Sequence, residues 1–428
     1  MSDDTPQGFE TRMIHAGAAP DPATGARQTP IYQTTSFVFK DAAHAARLFS
    51  LQEVGYIYSR LTNPTVSVLQ ERIASLEGGV GAVAAASGHA AQLMALFPLM
   101  GPGRNIVASD KLYGGTVNQF GQAIKRFGWG VKFVDMDDTD AIRAAVDDDT
   151  RVIWCESLAN PGGVVMDVEA ISAVAKDVGL PLIVDNTMAT AALWRPIEHG
   201  ADLVVGSTTK FMSGNGTAIG GILVDSGNFD WTASDKFPSL STPAPEYHGL
   251  NFAEALGPMA FTFHSIAIGL RDLGGCQQPQ NAFYTLLGLE TLALRMERHS
   301  TNAQAVAEYL EGHAKVDWVS YPGLKSSKYH ERAKKYLPNG AGAVFTIGVK
   351  GGHEAGVKLV DSLKLFSNLA NIGDARSLVI HSASTTHSQL TDEAKTLAGA
   401  GPEVVRLSIG LETASDLIAD LDRALSTL

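Results

Sequence analysis

Between residues 66 and 225 short apolar runs alternate with amphipathic stretches, and this alternation limits the possible folds more than any other feature of the chain. VGAVAAASG, RNIVASD, VKFVDM, TRVIWCES, LPLIVDN, ADLVVGS and AIGGILVD are the apolar runs. HAAQLMALFPLM, GTVNQFGQAIKRFG, DAIRAAV and VEAISAVAKDVG are helical stretches lying between several of them. Strands that are apolar throughout must be covered on both faces, and helices between them supply that cover. The expected fold class is therefore α/β with a mostly parallel sheet.

The flanking regions read differently. Residues 1–65 hold few periodic runs but many isolated polar and aromatic residues, as in RQTPIYQTTSFVF and EVGYIYSRLTNPT. A structureless stretch of this length is rare in a compact protein, so an ordered arm is expected. The unit at 66–280 carries an irregular insertion at 226–275, rich in Pro, Ser and aromatics. From about 281 to 311 one long helical segment is expected, a spine leading into a smaller α+β domain at 281–428 with strands in AVFTIGV, SLVIHS and VVRLSIG. The terminal helix is expected to start at a cap formed by Thr413 and Asp416, with Leu417, Ile418, Leu421 and Leu425 on one face.

Length and charge narrow the function. A chain of 428 residues has room for two domains. The formal charge of -12 disfavours general binding to nucleic acid or anionic membrane, while leaving room for a local phosphate site. The two cysteines, Cys155 and Cys276, form no C-x-x-C pair, so neither a disulfide framework nor a structural metal is expected. The opening MSDDTPQGFETRMIHAG lacks an apolar core, and no segment approaches the ~20 apolar residues of a membrane helix. The expected location is the cytoplasm.

Two motifs 25 positions apart carry the chemistry: LPLIVDN, ending a strand with Asp185, and GSTTKFMSGNG, containing Lys210. Ligands of parallel sheets bind at the carboxyl ends of strands, where both motifs fall. A pyridoxal-5′-phosphate (PLP) site needs a reactive amine, an acid facing the pyridine nitrogen, phosphate donors and a flat stacking surface. Lys210 suits the first need. Asp185 suits the second, because a carboxylate at a buried strand end is costly unless it meets a cation. Ser207 and Thr209, taken as alternating along a strand end, would point their hydroxyls the same way. Ser87-Gly88-His89 stands where a strand turns into a helix, whose first N–H groups are free for an anion. Tyr113, in KLYGGT, suits stacking. Each residue alone has an ordinary reading as a cap, a turn former, a solvated lysine or core filling. Their joint order along one α/β unit points to the cofactor.

DLVVGSTTKFMSGNG closely resembles the lysine signature of the Cys/Met-metabolism PLP enzymes of fold type I, and the resemblance runs from about Thr11 to Leu425. Asn215 departs from it, since many members have His or Gln there. The resemblance implies a mostly parallel seven-stranded sheet domain, a smaller C-terminal α+β domain and an N-terminal arm that reaches a neighbouring subunit. It implies that Lys210 is the Schiff-base lysine and proton carrier, Asp185 the partner of the pyridine nitrogen, and Tyr113 the stacking tyrosine with an acid/base part. Ser87, Gly88, His89, Ser207 and Thr209 would form the phosphate cup. Tyr58 and Arg60, in YSRLTNPT, would reach the phosphate of a neighbouring subunit, so that dimers share active sites and pair into a homotetramer. Asn160, in ESLANPGG, would lie near the cofactor's 3′-oxygen. Arg406, in VVRLSIGLE, would grip the substrate carboxylate, and Asn371, in LANIGDARSL, is assigned to the substrate as well. No metal is implied.

Within this family three features resemble the O-acetylhomoserine sulfhydrylase group. They are the extra length at 226–275, the runs GLRDLGGCQQPQNAFYTLLGLETLALRMERH and LANIGDARSLVIHSASTTHSQL, and Gly115, which stands where methionine γ-lyases usually have Cys. The implied reaction is γ-replacement, in which O-acetylhomoserine and sulfide or methanethiol give homocysteine or methionine and acetate. O-Succinylhomoserine sulfhydrylase and methionine or cystathionine γ-lyase would use the same cofactor residues, and a PLP-fold protein without activity is the alternative of another class.

Overall fold

The computed structural model describes residues 7–159, 163–385, 399 and 401–428. The seven apolar runs form seven strands: β1 Gly81–Ala85, β2 Asn105–Ser109, β3 Gly130–Val134, β4 Thr150–Glu156, β5 Leu182–Asp185, β6 Leu203–Gly206 and β7 Gly221–Asp225. They make one sheet in the order β1-β7-β6-β5-β4-β2-β3. β7 runs antiparallel to both of its neighbours, and the other pairs are parallel. Within β1, β2, β4 and β7 every residue is buried, as a sheet covered on both faces requires. Trp154 of β4 meets Phe120 edge-on, with centroids 5.0 Å apart, a geometry worth about 1 kcal/mol beyond the area it buries.

The parallel register sets the site. Asp185, the last residue of β5, pairs with Glu156 of β4 on one side and Val205 of β6 on the other. β6 then opens directly into the turn that carries Lys210. The helix Gly88–Leu96 follows β1 with Ser87 as its N-cap, the Ser87 hydroxyl accepting from Ala90 N–H at 3.1 Å.

A second sheet holds β8 Val316–Ser320, β9 Val344–Val349, β10 Ser367–Asn368, β11 Leu378–His381 and β12 Val404–Ser408, in the order β10-β11-β12-β9-β8. The expected strands are β9, β11 and β12. β8, although VDWVS is β-prone, and the two-residue β10 are additional to these.

Five local expectations are corrected. Ser207 and Thr209 do not alternate along a strand, because β6 ends at Gly206 and both lie in the turn beyond it. The spine is two helices, Pro279–Leu289 and Leu292–Glu311, interrupted at residues 290–291. Gly288 lies just before the interruption, where an added Cβ would stand 2.4 Å from the carbonyl oxygens of Met212 and Ser213. The stretch after Tyr113 is three short pieces, an α-helical turn at Gly114–Asn118, a π-helix at Gln119–Ala123 and a 3₁₀ turn at Ile124–Phe127. The irregular insertion is largely short helices and ends in a nine-residue π-helix, Ser265–Leu273. The terminal helix Ala414–Leu425 buries Leu417, Leu421 and Leu425, but the Thr413 side chain makes no capping bond. Among the described residues no helix is long and apolar enough to cross a membrane.

Candidate active site

Lys210 sits in a turn held from both sides. Its N–H donates to Ser207 O, and its carbonyl accepts from Gly214 N–H at 2.8 Å. Gly373 of the C-terminal part lies against this turn at φ +73°, where a Cβ would stand 2.7 Å from Phe211 N, so only glycine allows the approach. Nζ of Lys210 donates to Oδ1 of Asn371 at 2.6 Å. Burial, reinforced by the charge of Arg406, lowers the ammonium to about 8, so uncharged amine is present near neutral pH.

Arg406 projects from β12, is buried, and donates through Nη2 to the Asn371 carbonyl at 3.1 Å. Burial lowers its guanidinium to about 10, which leaves it cationic at neutral pH. Asn371 thus meets both cations of the site, Lys210 by its side chain and Arg406 by its main chain.

Asp185 is pulled in opposing directions. Burial is the largest influence and on balance raises the pKa of its carboxyl, while Thr187, Gln92 and the nearby His89 lower it. Thr187 N–H donates to Oδ1 at 2.9 Å and Gln92 Nε2 donates to Oδ2 at 3.2 Å. Each oxygen keeps lone-pair capacity for a further donor, and a cationic N–H would supply the charge that burial makes valuable.

Tyr113 precedes the helical turn Gly114–Asn118 and is half-exposed. Its backbone N–H donates to Glu156 Oε1 at 2.5 Å, which fixes the tyrosine from the end of β4. Its ring lies nearly parallel to that of His89, with centroids 6.0 Å apart. His89 feels the charges of both Asp185 and Lys210, though burial is the larger influence and lowers its pKa.

The two segments expected at a phosphate meet. A Cβ added to Gly88 would stand 2.9 Å from Ser207 Cβ, so the start of the helix Gly88–Leu96 and the turn after β6 are in contact. With the Ser87 hydroxyl on Ala90, the N–H groups of Gly88 and His89 have no acceptor inside the helix. This cradle fits a phosphate. Thr209 is committed elsewhere: its hydroxyl donates to Gly220 O at 3.1 Å and accepts from Gly220 N–H at 3.0 Å. Lys210, Asp185 and the cradle together fit PLP.

Tyr58 and Arg60 are not gathered here. Both are exposed in the arm, with the Arg60 guanidinium 5.5 Å from the Tyr58 ring. Asn160 lies outside the described residues. A cavity of about 500 Å³ beside Trp194, His199 and Tyr336 includes none of the residues gathered around Lys210.

Sequence reasoning missed Gln92, Thr116, Thr187 and Glu156. Gln92 had one signal, a buried amide in the apolar helix GHAAQLMAL. Thr187 lies two positions past Asp185, the spacing at which an Asp side chain meets the backbone.

The model of the Cys/Met metabolism PLP-dependent enzyme family matches residues 10–426. An O-acetyl-L-homoserine sulfhydrylase from Leptospira meyeri is 50% identical, covering 99% of this chain and 98% of its own. A homocysteine synthase from Schizosaccharomyces pombe is 51% identical, covering 97% and 98%. A crystal structure from Campylobacter jejuni, in which a lysine carries a pyridoxyl monophosphate group, superposes with a TM-score of 0.95 at 42% identity, covering 98% of this chain and all of its own.

Proposed function

Because the chain belongs to the Cys/Met metabolism PLP-dependent enzyme family, we propose that it is an O-acetylhomoserine sulfhydrylase of methionine biosynthesis. Sulfide replaces the acetate of O-acetylhomoserine to give homocysteine, and methanethiol in its place gives methionine. The observation that carries this reading is the Lys210 amine, lowered to about 8 and held at 2.6 Å by Asn371 beside Arg406. The names of the relatives from Leptospira meyeri and Schizosaccharomyces pombe support the choice of reaction.

PLP, when bound, supplies an electron sink for negative charge developing at the substrate Cα. Lys210 would hold it, with Asp185 at the pyridine nitrogen and Tyr113 on the ring face. Gly88, His89, Ser87 and Ser207 would take the phosphate. Arg406 grips the substrate carboxylate with its planar fork and orients the Cα–H bond, a positioning worth several kcal/mol. Lys210, as the free amine, takes the Cα proton. A Cβ proton is lost, the Cγ–O bond breaks and acetate leaves. Sulfide forms the Cγ–S bond, and protons return to Cβ and Cα. The proton released by hydrogen sulfide balances the acetate.

Residues 66–280 are assigned to holding the cofactor and 281–428 to the substrate carboxylate, since Arg406 and Asn371 come from the second part. The arm at 1–65 is assigned to a neighbouring subunit, in dimers that pair into a tetramer. Exposed apolar side chains along it support this, with Val38 99%, Val54 79% and Phe49 60% exposed.

The test is a substrate profile of the purified PLP-loaded enzyme. O-Acetylhomoserine and O-succinylhomoserine are each offered with sulfide, then methionine or cystathionine alone. Homocysteine formed fastest from the acetyl ester is the expected result. Preference for the succinyl ester, or elimination from methionine, would replace this reading.

A further inference from the structure

Gln92 touches neither Lys210 nor Arg406 through any hydrogen bond among the described residues, yet it is 3% exposed and committed to the site. Its amide nitrogen donates to Asp185 Oδ2 at 3.2 Å and to Thr116 Oγ1 at 3.0 Å, so both N–H hydrogens are used. Its carbonyl oxygen is buried without a hydrogen-bond partner among the described residues. Reversing the amide would turn that oxygen toward Asp185, where two acceptors would face each other. The orphaned oxygen is therefore the cost of presenting a donor to the carboxylate.

The arrangement is braced at both ends. Thr116 is fully buried in the helical turn that follows Tyr113. The opposite oxygen of Asp185 is fixed by Thr187 N–H at 2.9 Å, so the carboxylate is clamped from two sides and cannot rotate without losing a bond. The helix that presents Gly88 and His89 at its start also delivers Gln92 to Asp185.

We propose that Gln92, braced by Thr116, is a positioning residue that holds Asp185 as an aimed carboxylate and so keeps the pyridine nitrogen of PLP protonated. The inference rests on the reading of Asp185 as the partner of that nitrogen. A donor to a carboxylate favours its charged form, and a carboxylate can share the ring proton only while it remains ionised.

The test uses holoenzyme loaded with PLP labelled with ¹⁵N in the ring, and its readout is the ¹⁵N chemical shift of the pyridine nitrogen. Gln92→Met keeps the side-chain length and removes the donor. Its signal is expected to move toward the unprotonated position, with kcat reduced about tenfold and KM changed less than about twofold. Thr116→Val, which loses only the hydroxyl, is expected to move the signal part of the way, and Thr116→Ser to restore it. Asp185→Asn serves as the reference. If Asp185→Asn leaves the signal unmoved, the assignment of Asp185 itself fails. If Asp185→Asn moves it and Gln92→Met does not, Gln92 only fills space and this inference is overturned. Should Gln92→Met fail to fold, an unmoved signal in Thr116→Val overturns it.

Discussion

Lys210 and Asn371, 161 positions apart, meet at 2.6 Å, the amine donating to the amide oxygen. The contact joins the turn after β6 to the loop before β11, and through the Asn371 carbonyl it reaches Arg406. A neutral acceptor at this point holds the amine without raising its pKa as a carboxylate would.

Asn371→Asp tests that distinction. An anion at hydrogen-bond distance favours the charged amine, so the Lys210 pKa rises from about 8. The amine must be uncharged to take a proton, and it is free of the cofactor only in the substrate complex, so the acidic limb of the kcat profile shifts to higher pH by about one unit or more, and kcat near pH 7.5 falls roughly tenfold. Deuterium exchange at the substrate Cα, followed by NMR across pH, measures it directly.

Lys210→Ala abolishes turnover, and borohydride reduction of the PLP-treated variant yields no cofactor–protein adduct detectable by mass spectrometry. Wild-type enzyme gives an adduct on the peptide containing Lys210. An adduct on another lysine in both proteins would remove the assignment.

Gly115→Ala crowds the ring-stacking region. The new Cβ would stand 2.5 Å from Tyr113 Cε1 and 2.9 Å from His89 Cε1, so one ring must move. With an overpacking cost of about 1–3 kcal/mol, PLP binding weakens roughly tenfold. Titration of the apoenzyme with PLP, read by absorbance, gives the affinity.

Glu77 makes stability depend on pH. The carboxyl is fully buried and accepts from Asn186 Nδ2 at 3.2 Å on both oxygens, and burial raises its pKa from 4.5 to about 8. A pKa raised by folding means the stability it contributes is fully present below about 4.5 and is lost as pH rises toward about 8. Glu77→Gln keeps an acceptor for Asn186 and removes this dependence. Its thermal midpoint is expected to gain on wild type steadily from pH 5 to pH 8, by several degrees at the upper end. A gap that stays constant with pH in thermal melts would show that Glu77 does not titrate in this range.

The seven strands of the main sheet, and the placement of Asp185 and Lys210 at the ends of two adjacent ones, were legible because strand and helix periodicities are local and survive in the linear chain. Ser87 at a helix start was legible for the same reason, since capping acts over three residues. The resemblance to a known family extended this reading to Arg406 and Asn371, which no local pattern marks. The Gln92–Asp185 contact spans 93 positions and the Tyr113–Glu156 contact 43, and both rest on how helix and strand ends pack against one another. The break at 290–291 and the use of the Thr209 hydroxyl on Gly220 were likewise decided by packing. Sequence alone determined which residue types stand at the ends of the strands, because side-chain periodicity encodes burial. Tertiary structure alone decided which polar groups meet, because a hydrogen bond depends on sub-ångström placement of segments that the chain order leaves far apart.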